Sequence, residues 1–158
     1  MHPHEQLVRN FYAAFTQRDA AAMAGCYHDE IVFSDPAFPL LKGAEAGGMW
    51  EMLCHRGKDL QITLVSASAD AEGGKAHWDA VYTFSQTGRK VHNKIDALFA
   101  FRDGKIVRHI DRFSFWRWSS QALGPLGLLL GWSWPVKALV RKKAQASLDQ
   151  WMERKTAS

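Results

Sequence analysis

The chain has 158 residues, of which 47% are hydrophobic and 12% aromatic, and its formal net charge is +4 at pH 7. This length suits one domain with one core, and the composition excludes a disordered or low-complexity chain. Two cysteines, Cys26 and Cys54, are too few for a disulfide framework, and no charged segment followed by an apolar stretch opens the chain, so we expect a cytoplasmic protein.

The positive charge is concentrated at the C-terminal end. Residues 136–158 contain six bases and two acids, whereas the remaining 14 bases and 14 acids cancel. The main body therefore offers no footprint for phosphate groups, and we expect no nucleic-acid partner.

The N-terminal part of the chain predicts helices. Apolar residues recur at helical spacing over residues 5–17, and Asp19 is a suitable N-cap for a second, short helix. A brief strand over residues 31–33 is ended by Pro36, and a third helix begins at Gly43.

From Leu60 onwards the pattern changes to strands. Residues 60–69, 76–85, 90–101 and 106–116 are separated by Glu-Gly-Gly, Thr-Gly and Asp-Gly turns, which predicts a four-strand meander. Helices followed by antiparallel strands are typical of an α+β domain, in which the helices cover one face of a strongly curved sheet. A pocket between the two layers follows from this arrangement.

The C-terminal tail differs from the main body. Residues 122–134 are strongly apolar but contain several glycines and a proline, so they cannot form a transmembrane helix. Beyond Pro135 an apolar stripe runs along a basic helix. We divide the chain into a domain at residues 1–118 and an extension at residues 119–158. We expect the extension to act as a lid on the domain or its dimer partner, and the alternative is a membrane-surface contact.

Two segments resemble ketosteroid isomerases. Residues 27–36 resemble the isomerase segment that ends in a general-base Asp followed by Pro, which places Asp35 at the base. Residues 88–107 are similar to the same enzymes, with Asp96 at their oxyanion-site Asp. This resemblance, over roughly residues 5–116, identifies the chain as a member of the nuclear transport factor 2-like superfamily, with SnoaL-like and ketosteroid isomerase-like domains. It implies a cone-shaped, cystatin-like α+β roll that encloses an apolar pocket.

The resemblance also implies a division of chemical roles. A carboxylate in an apolar cup loses hydration, so its pKa rises and it can exchange protons near neutral pH. Asp35 or Asp96 would act as the base, and the other, kept protonated, would donate to an oxyanion. The position of the isomerases' oxyanion Tyr holds Phe11, which has no donor, and we expect the neighbouring Tyr12 on another helical face.

A second resemblance points to a different reaction. Residues 101–113 are similar to limonene epoxide hydrolases and SnoaL-like polyketide cyclases, which have an acid/base Asp at the position of Asp111. The hydrolases' Arg-x-Asp best matches residues 77–79, with His in place of Arg. The isomerase alignment instead turns Trp78 inward and Asp79 outward, because a one-residue shift reverses the faces of a strand. Both alignments remain open. Residues 115–118 and 121–132 resemble an uncharacterised bacterial branch of the superfamily, which implies no activity.

The predicted site combines carboxylates with a largely aromatic lining. The candidate catalytic residues are Asp35, Asp96 and Asp111, and the candidate substrate-binding residues are Phe11, Phe33, Trp50, Trp78, Tyr82, His109 and Phe113. Each carboxylate also has a structural interpretation: Asp35 would cap a turn or helix, Asp111 would pair with an arginine, and Asp96 would pair with Lys94 or Arg89.

These observations predict a pocket for a small apolar, oxygen-bearing molecule, with acid/base chemistry of the isomerase, cyclase or epoxide-hydrolase type. We expect neither cofactor nor metal, because no HExxH, Cys/His, P-loop, Rossmann or GxSxG pattern occurs. The alternative is a non-catalytic ligand-binding or protein-interaction domain. Aromatic residues, expected on both faces of the strands, predict a homodimer through the open face of the sheet.

Overall fold

The computed structural model describes residues 1–157 as six helices and one six-stranded sheet. The helices are α1 (Pro3–Thr16), α2 (Ala20–Gly25), α3 (Ala44–Arg56), α4 (Phe115–Leu123), α5 (Pro125–Leu130) and α6 (Trp134–Ala157). The strands are β1 (Tyr27–Ser34), β2 (Leu41–Lys42), β3 (Gln61–Ala69), β4 (Gly74–Phe84), β5 (Arg89–Arg102) and β6 (Lys105–Arg112).

The N-terminal helices begin where the sequence predicts. The side chain of Asp19 accepts a hydrogen bond from the backbone N–H of Ala22 at 3.0 Å, which caps α2. Helix α3 begins after Gly43, whose φ of 56° lies in the left-handed region that favours glycine. The order of helices and strands confirms the α+β architecture and the helical C-terminal extension.

The sheet has the strand order β2-β1-β6-β5-β4-β3. The predicted meander forms β3 to β6, and its strand pairs are antiparallel. Strand β1 pairs in parallel with β6, which places Phe33 beside His109. This pairing joins residues that are far apart in sequence, and it brings the end of β1 to the centre of the molecule.

Alternation along the strands decides which side chains face the helices. On β5 the inward side chains include Asn93, Ile95 and Ala97. Asp96 points outward, as do Lys94 and Leu98 on either side of it. All Phe, Tyr and Trp side chains of the strands pack in the two buried clusters on the helical side. The expectation of aromatic residues on both faces is therefore wrong, and the homodimer stays a prediction without that support.

The last strand is shorter than predicted. It ends at Arg112, and the side chain of Ser114 accepts from the backbone N–H of Arg117 at 3.2 Å to start α4. Phe115 and Trp118, three residues apart, pack together on one face of this helix. The cap and the helical spacing override the strand pattern that predicted a continuation to residue 116.

Helix α6 packs along the domain. Leu148 is fully buried in the main core, and Trp151 and Met152 pack against the same core. Gly48 on α3 makes room for Met152, because a side chain at that position would collide with the methionine sulfur. No helix within residues 1–157 is long and apolar enough to cross a membrane.

Candidate active site

A chain of hydrogen bonds runs through the interior between α3 and the sheet. The indole N–H of Trp50 donates to the hydroxyl oxygen of Tyr27 at 2.8 Å, and that hydroxyl lies 2.8 Å from Nδ1 of His109. The other ring nitrogen, Nε2, lies 2.9 Å from Oδ1 of Asp111. One proton arrangement satisfies every group: Tyr27 donates to Nδ1, and Nε2–H donates to the carboxylate.

Aromatic rings surround the imidazole of His109. The ring centroids of Phe11, Phe33 and Phe99 lie 5.5, 5.1 and 4.5 Å from the centroid of His109. Trp50 is stacked on His109 at 5.9 Å. We call His109 and these four surrounding rings the aromatic cage. Its low polarity strengthens the hydrogen bonds of His109 and disfavours any unpaired charge nearby.

Asp35 lies just beyond the end of β1, at the edge of the aromatic cage. The pKa of its carboxyl is raised from 3.8 to about 7, and burial is the largest cause. The charge of Asp111 contributes to the rise, whereas hydrogen bonds from the backbone N–H groups of Phe38 and Ala37 act against it. A carboxyl with this pKa is present in both protonation states near neutral pH, as an acid/base group requires.

The C-terminal extension contacts the turn that holds this carboxyl. Nε of Arg141 on α6 donates to the backbone carbonyl of Pro36 at 2.9 Å. The positive charge of Arg141 also lowers the pKa of Asp35. The tail therefore contributes a cation to the surroundings of a carboxyl that lies 106 positions earlier in the chain.

Two buried donors beside the cage lack a hydrogen-bond partner among the described residues. They are the hydroxyl of Tyr12 and the indole N–H of Trp78, whose ring centroids lie 5.6 Å apart. Burial raises the pKa of the Tyr12 hydroxyl well above its usual value, and the charge of Asp111 raises it further. Both donors thus lie in the protein interior, and the Tyr12 hydroxyl lies near the carboxylate of Asp111.

The remaining lining residues connect the site to α4. The hydroxyl of Tyr82 accepts from the indole N–H of Trp118 at 2.7 Å. Burial raises the pKa of Tyr82, and the charge of Asp35 adds to this rise. Phe113 is partly buried and packs against both apolar clusters. The site therefore extends from α1 across the sheet to α4.

The family model described as the SnoaL-like domain matches residues 8–109. The chain belongs to the SnoaL-like domain family. The matched segment includes both unpartnered donors and the whole aromatic cage. Asp111 and the C-terminal extension lie outside it.

Solved structures share the fold of this SnoaL-like chain at low sequence identity. An LEH-like epoxide hydrolase from M. tuberculosis has a TM-score of 0.64 at 16% identity, over 81% of this chain and 96% of the hydrolase. A protein of ketosteroid isomerase-like fold from Catenulispora acidiphila has a TM-score of 0.65 at 16% identity, over 75% of this chain and 93% of that protein. A putative polyketide cyclase from Xanthomonas campestris has a TM-score of 0.60 at 21% identity, over 73% of this chain and 93% of the cyclase. A search of curated proteins gives no match. At these identities the similarity shows the fold alone.

The structure of the SnoaL-like chain brings most of the predicted site residues together. Nine of the ten lie on the inner side of the sheet or at the edge of the cage: Asp35, Asp111, Phe11, Phe33, Trp50, Trp78, Tyr82, His109 and Phe113. Their roles in binding or catalysis stay predictions. The structural interpretation of Asp35 also has support, because its Oδ1 accepts from two backbone N–H groups at 2.8 and 2.6 Å in a tight turn.

Asp96 does not belong to this group. Its side chain is 77% exposed on the outer face of the sheet, where Oδ1 lies 2.8 Å from Nδ1 of His77. Asp79 lies on the same face, with Oδ2 3.2 Å from Nε2 of His92. The expectation that Asp96 faces the pocket is wrong, because the side chains of β5 that point inward belong to alternate residues such as Asn93 and Ile95. The outward position of Asp79 agrees with the isomerase alignment and not with the hydrolase alignment.

Sequence reasoning missed four polar groups of the site. Tyr27 shares the inward parity of Phe33 on β1, so strand alternation could have found it. Tyr12 was expected on another helical face than Phe11, but α1 lies so deep that both are buried. Asn93 is also buried on the inner face of β5. Arg141 reaches the site only because α6 packs across the domain, and no local sequence pattern indicates that packing.

Two clefts of the SnoaL-like chain lie outside the aromatic cage. An open cleft of about 770 Å³ lies between α2, the start of β1 and α3, and it includes none of the ten predicted site residues. Within the cage the rings pack against one another, and α6 lies beside the turn that holds Asp35. The pocket for a ligand therefore stays a prediction.

Proposed function

We propose that this SnoaL-like domain binds a small apolar molecule with a carbonyl oxygen inside the aromatic cage and moves a proton on that molecule. One observation carries the proposal. A largely aromatic interior contains a carboxyl with a pKa of about 7, Asp35, and also two buried donors that lack a partner, Tyr12 and Trp78. This combination is costly for a purely structural core.

The unpartnered donors indicate what the ligand offers. A buried N–H or O–H group without an acceptor lowers the free energy of unfolding by about 1 to 3 kcal/mol. Two such groups therefore remove a substantial part of the stability of a domain of this size. A ligand oxygen that accepts from Tyr12, Trp78 or both would remove that cost. The surrounding aromatic rings favour an apolar body for the same ligand.

The carboxyl and the donors together suit enolisation. The ionised carboxylate of Asp35 would take a proton from the carbon next to the carbonyl group. The electron pair of the broken C–H bond would form the enolate, whose oxygen would accept hydrogen bonds from Tyr12 and Trp78. Return of the proton to another carbon would complete an isomerisation. The structural neighbours that are named as a putative polyketide cyclase and as a protein of ketosteroid isomerase-like fold support this choice.

Asp111 and His109 would act on Asp35 and not on the substrate. The negative charge of Asp111 raises the pKa of Asp35, and Nε2–H of His109 holds Asp111 in place. The bridge from Trp50 through Tyr27 fixes the imidazole in turn. The network would therefore help to keep the pKa of Asp35 near neutral pH.

Deuterium exchange on cyclic ketones tests the proposal. In D₂O, proton NMR follows the loss of the hydrogens next to the carbonyl of a panel of one- and two-ring ketones. We expect catalysed exchange, with Asp35→Asn reducing it by about 100-fold or more. We expect Tyr12→Phe to reduce it by about tenfold, as the loss of one oxyanion donor does. Asp96→Asn, on the outer face of the sheet, is the matched control and should exchange normally.

Two results would oppose this assignment. Equal exchange by the unaltered chain and Asp35→Asn would remove Asp35 as the base. Hydrolysis of a cyclic epoxide without any ketone exchange would assign the site to the reaction of the epoxide-hydrolase neighbour instead. Ketone binding without exchange or hydrolysis would favour the second candidate function, a non-catalytic binding domain, for which the turn role of Asp35 is the supporting observation.

A further inference from the structure

The segment around α5 exposes a row of large apolar side chains. Leu129 and Trp132 are each 68% exposed, and Trp134 is 78% exposed. We call the whole set the apolar ridge, and its members are Leu126, Leu128, Leu129, Leu130, Trp132 and Trp134. Six large apolar side chains within nine residues exceed the scattered exposure that is normal on protein surfaces. These side chains do not pack against their own domain, and the other half of the expectation, packing on a dimer partner, stays a prediction.

The backbone carbonyls at the end of α5 are all hydrogen-bonded. The last carbonyls of a helix normally lack partners within the helix and bind water. Here the carbonyl of Leu128 accepts from the indole N–H of Trp116, and that of Leu129 accepts from the indole N–H of Trp132. The carbonyl of Leu130 accepts from Ser133, and that of Gly127 accepts from the backbone N–H of Gly131. A helix end with satisfied carbonyls can leave water at little cost, as a helix in a lipid environment must.

Positive charge adjoins the apolar ridge along the chain. Residues 112–148 contain six basic residues and no acidic residue. Lys142 and Lys143 follow the exposed Leu139 by three and four positions, so they share the outer face of α6 with it. An exposed apolar surface beside lysines matches the two layers of a membrane surface that carries negative headgroups.

We propose that the apolar ridge and the outer face of α6 bind an anionic lipid surface. The Leu and Trp side chains would enter the boundary between headgroups and acyl chains, and Lys142 and Lys143 would contact the phosphates. A second copy of this chain is a poorer occupant, since a twofold dimer would place this basic segment, which contains no acidic residue, against itself. The proposal is independent of the reaction in the cage.

Vesicle flotation with the full chain tests the apolar part. We expect binding to vesicles of phosphatidylcholine with about one third phosphatidylglycerol, and at least tenfold weaker binding to phosphatidylcholine alone. The double variant Leu129→Gln and Trp134→Gln should lose at least tenfold in affinity while its circular dichroism spectrum is unchanged. The matched control is Val65→Gln with Leu98→Gln, which removes exposed apolar side chains from the sheet and should bind normally.

Charge variants test the electrostatic part. Each lysine at an anionic surface contributes about 1 kcal/mol, so Lys142→Gln with Lys143→Gln should weaken binding by roughly 30-fold at low salt. Lys75→Gln with Lys94→Gln changes the same net charge on exposed positions of the sheet, and it should have a much smaller effect.

Three outcomes would overturn the proposal. The first is absence of binding to anionic vesicles by the unaltered chain. The second is an equal loss in the ridge variants and in their sheet controls. The third is a dimer in light scattering that the Leu129→Gln and Trp134→Gln changes dissociate, together with no vesicle binding, which would assign the ridge to a second copy.

Discussion

Replacement of Asp35 by Asn should change how the stability of the domain depends on pH. Asn keeps the shape of the side chain and an oxygen that accepts from the N–H groups of Ala37 and Phe38. It removes the proton that the buried carboxyl binds. The variant therefore separates the turn contact of Asp35 from its titration.

The sign follows from the raised pKa. The carboxyl titrates near 3.8 in the unfolded chain and near 7 in the folded one, so the folded state retains a proton that the unfolded state has released. Stability from this group is thus highest at low pH, falls as the pH rises from about 4 to about 7, and is constant above that window. A shift of one pKa unit corresponds to about 1.4 kcal/mol, so the fall between about pH 5 and about pH 7 is roughly 2 to 3 kcal/mol.

Urea unfolding followed by tryptophan fluorescence measures this effect. The free energy of unfolding of Asp35→Asn minus that of the unaltered chain should increase by about 2 to 3 kcal/mol between about pH 5 and about pH 8. Asp29→Asn, at an exposed position on the same strand, is the control and should follow the unaltered chain. Parallel curves for the unaltered chain and Asp35→Asn would refute the reasoning, because they would place the pKa of Asp35 in its ordinary range.

Two further pairs of variants test the packing of the site and of the extension by thermal or urea unfolding. Tyr27→Phe removes a hydroxyl with two partners and should cost about 1 to 3 kcal/mol, whereas Tyr12→Phe removes a hydroxyl without a partner among residues 1–157 and should be neutral or stabilising. An equal loss in both tyrosine variants would contradict the hydrogen-bond assignment. Gly127→Ala should cost about 1 to 3 kcal/mol because the added carbon would overlap the backbone of Ser119, whereas Gly25→Ala meets nothing within 4 Å. Similar stabilities for the two glycine variants would mean that α4 and α5 are not packed as described.

Most of the fold could be predicted from the sequence because the residues that start its helices and form its turns act locally. The Asp19 cap, the Gly43 helix start and the Gly-containing turns between strands each act within a few residues. The parallel pairing of β1 with β6 and the inward packing of the aromatic residues are not local. They arise from burial of one sheet face as a whole, which a pattern in one strand does not reveal. The helix at Phe115 was missed because its residues are equally typical of a strand.

The site was accessible in part for the same reason. Asp35, Asp111 and the cage residues could be predicted from their order and types, whereas the side on which Asp96 lies depends on strand parity that an alignment can shift by one residue. Tyr12 and Arg141 could not be placed, since their positions depend on how deeply α1 is buried and where α6 crosses the domain.

Helix α6 joins two places that the sequence keeps apart. Its first half adjoins the apolar ridge, and Arg141, one turn before its buried half, holds the turn of Asp35. Displacement of this helix would take the positive charge of Arg141 away from the carboxyl, which raises its pKa, and would reduce burial, the largest cause of the raised pKa, which lowers it. By thermodynamic reciprocity, the protonation state of Asp35 and the position of the helix must influence each other. Asp35 and the extension are therefore linked, and the balance of burial against charge sets the direction of that link.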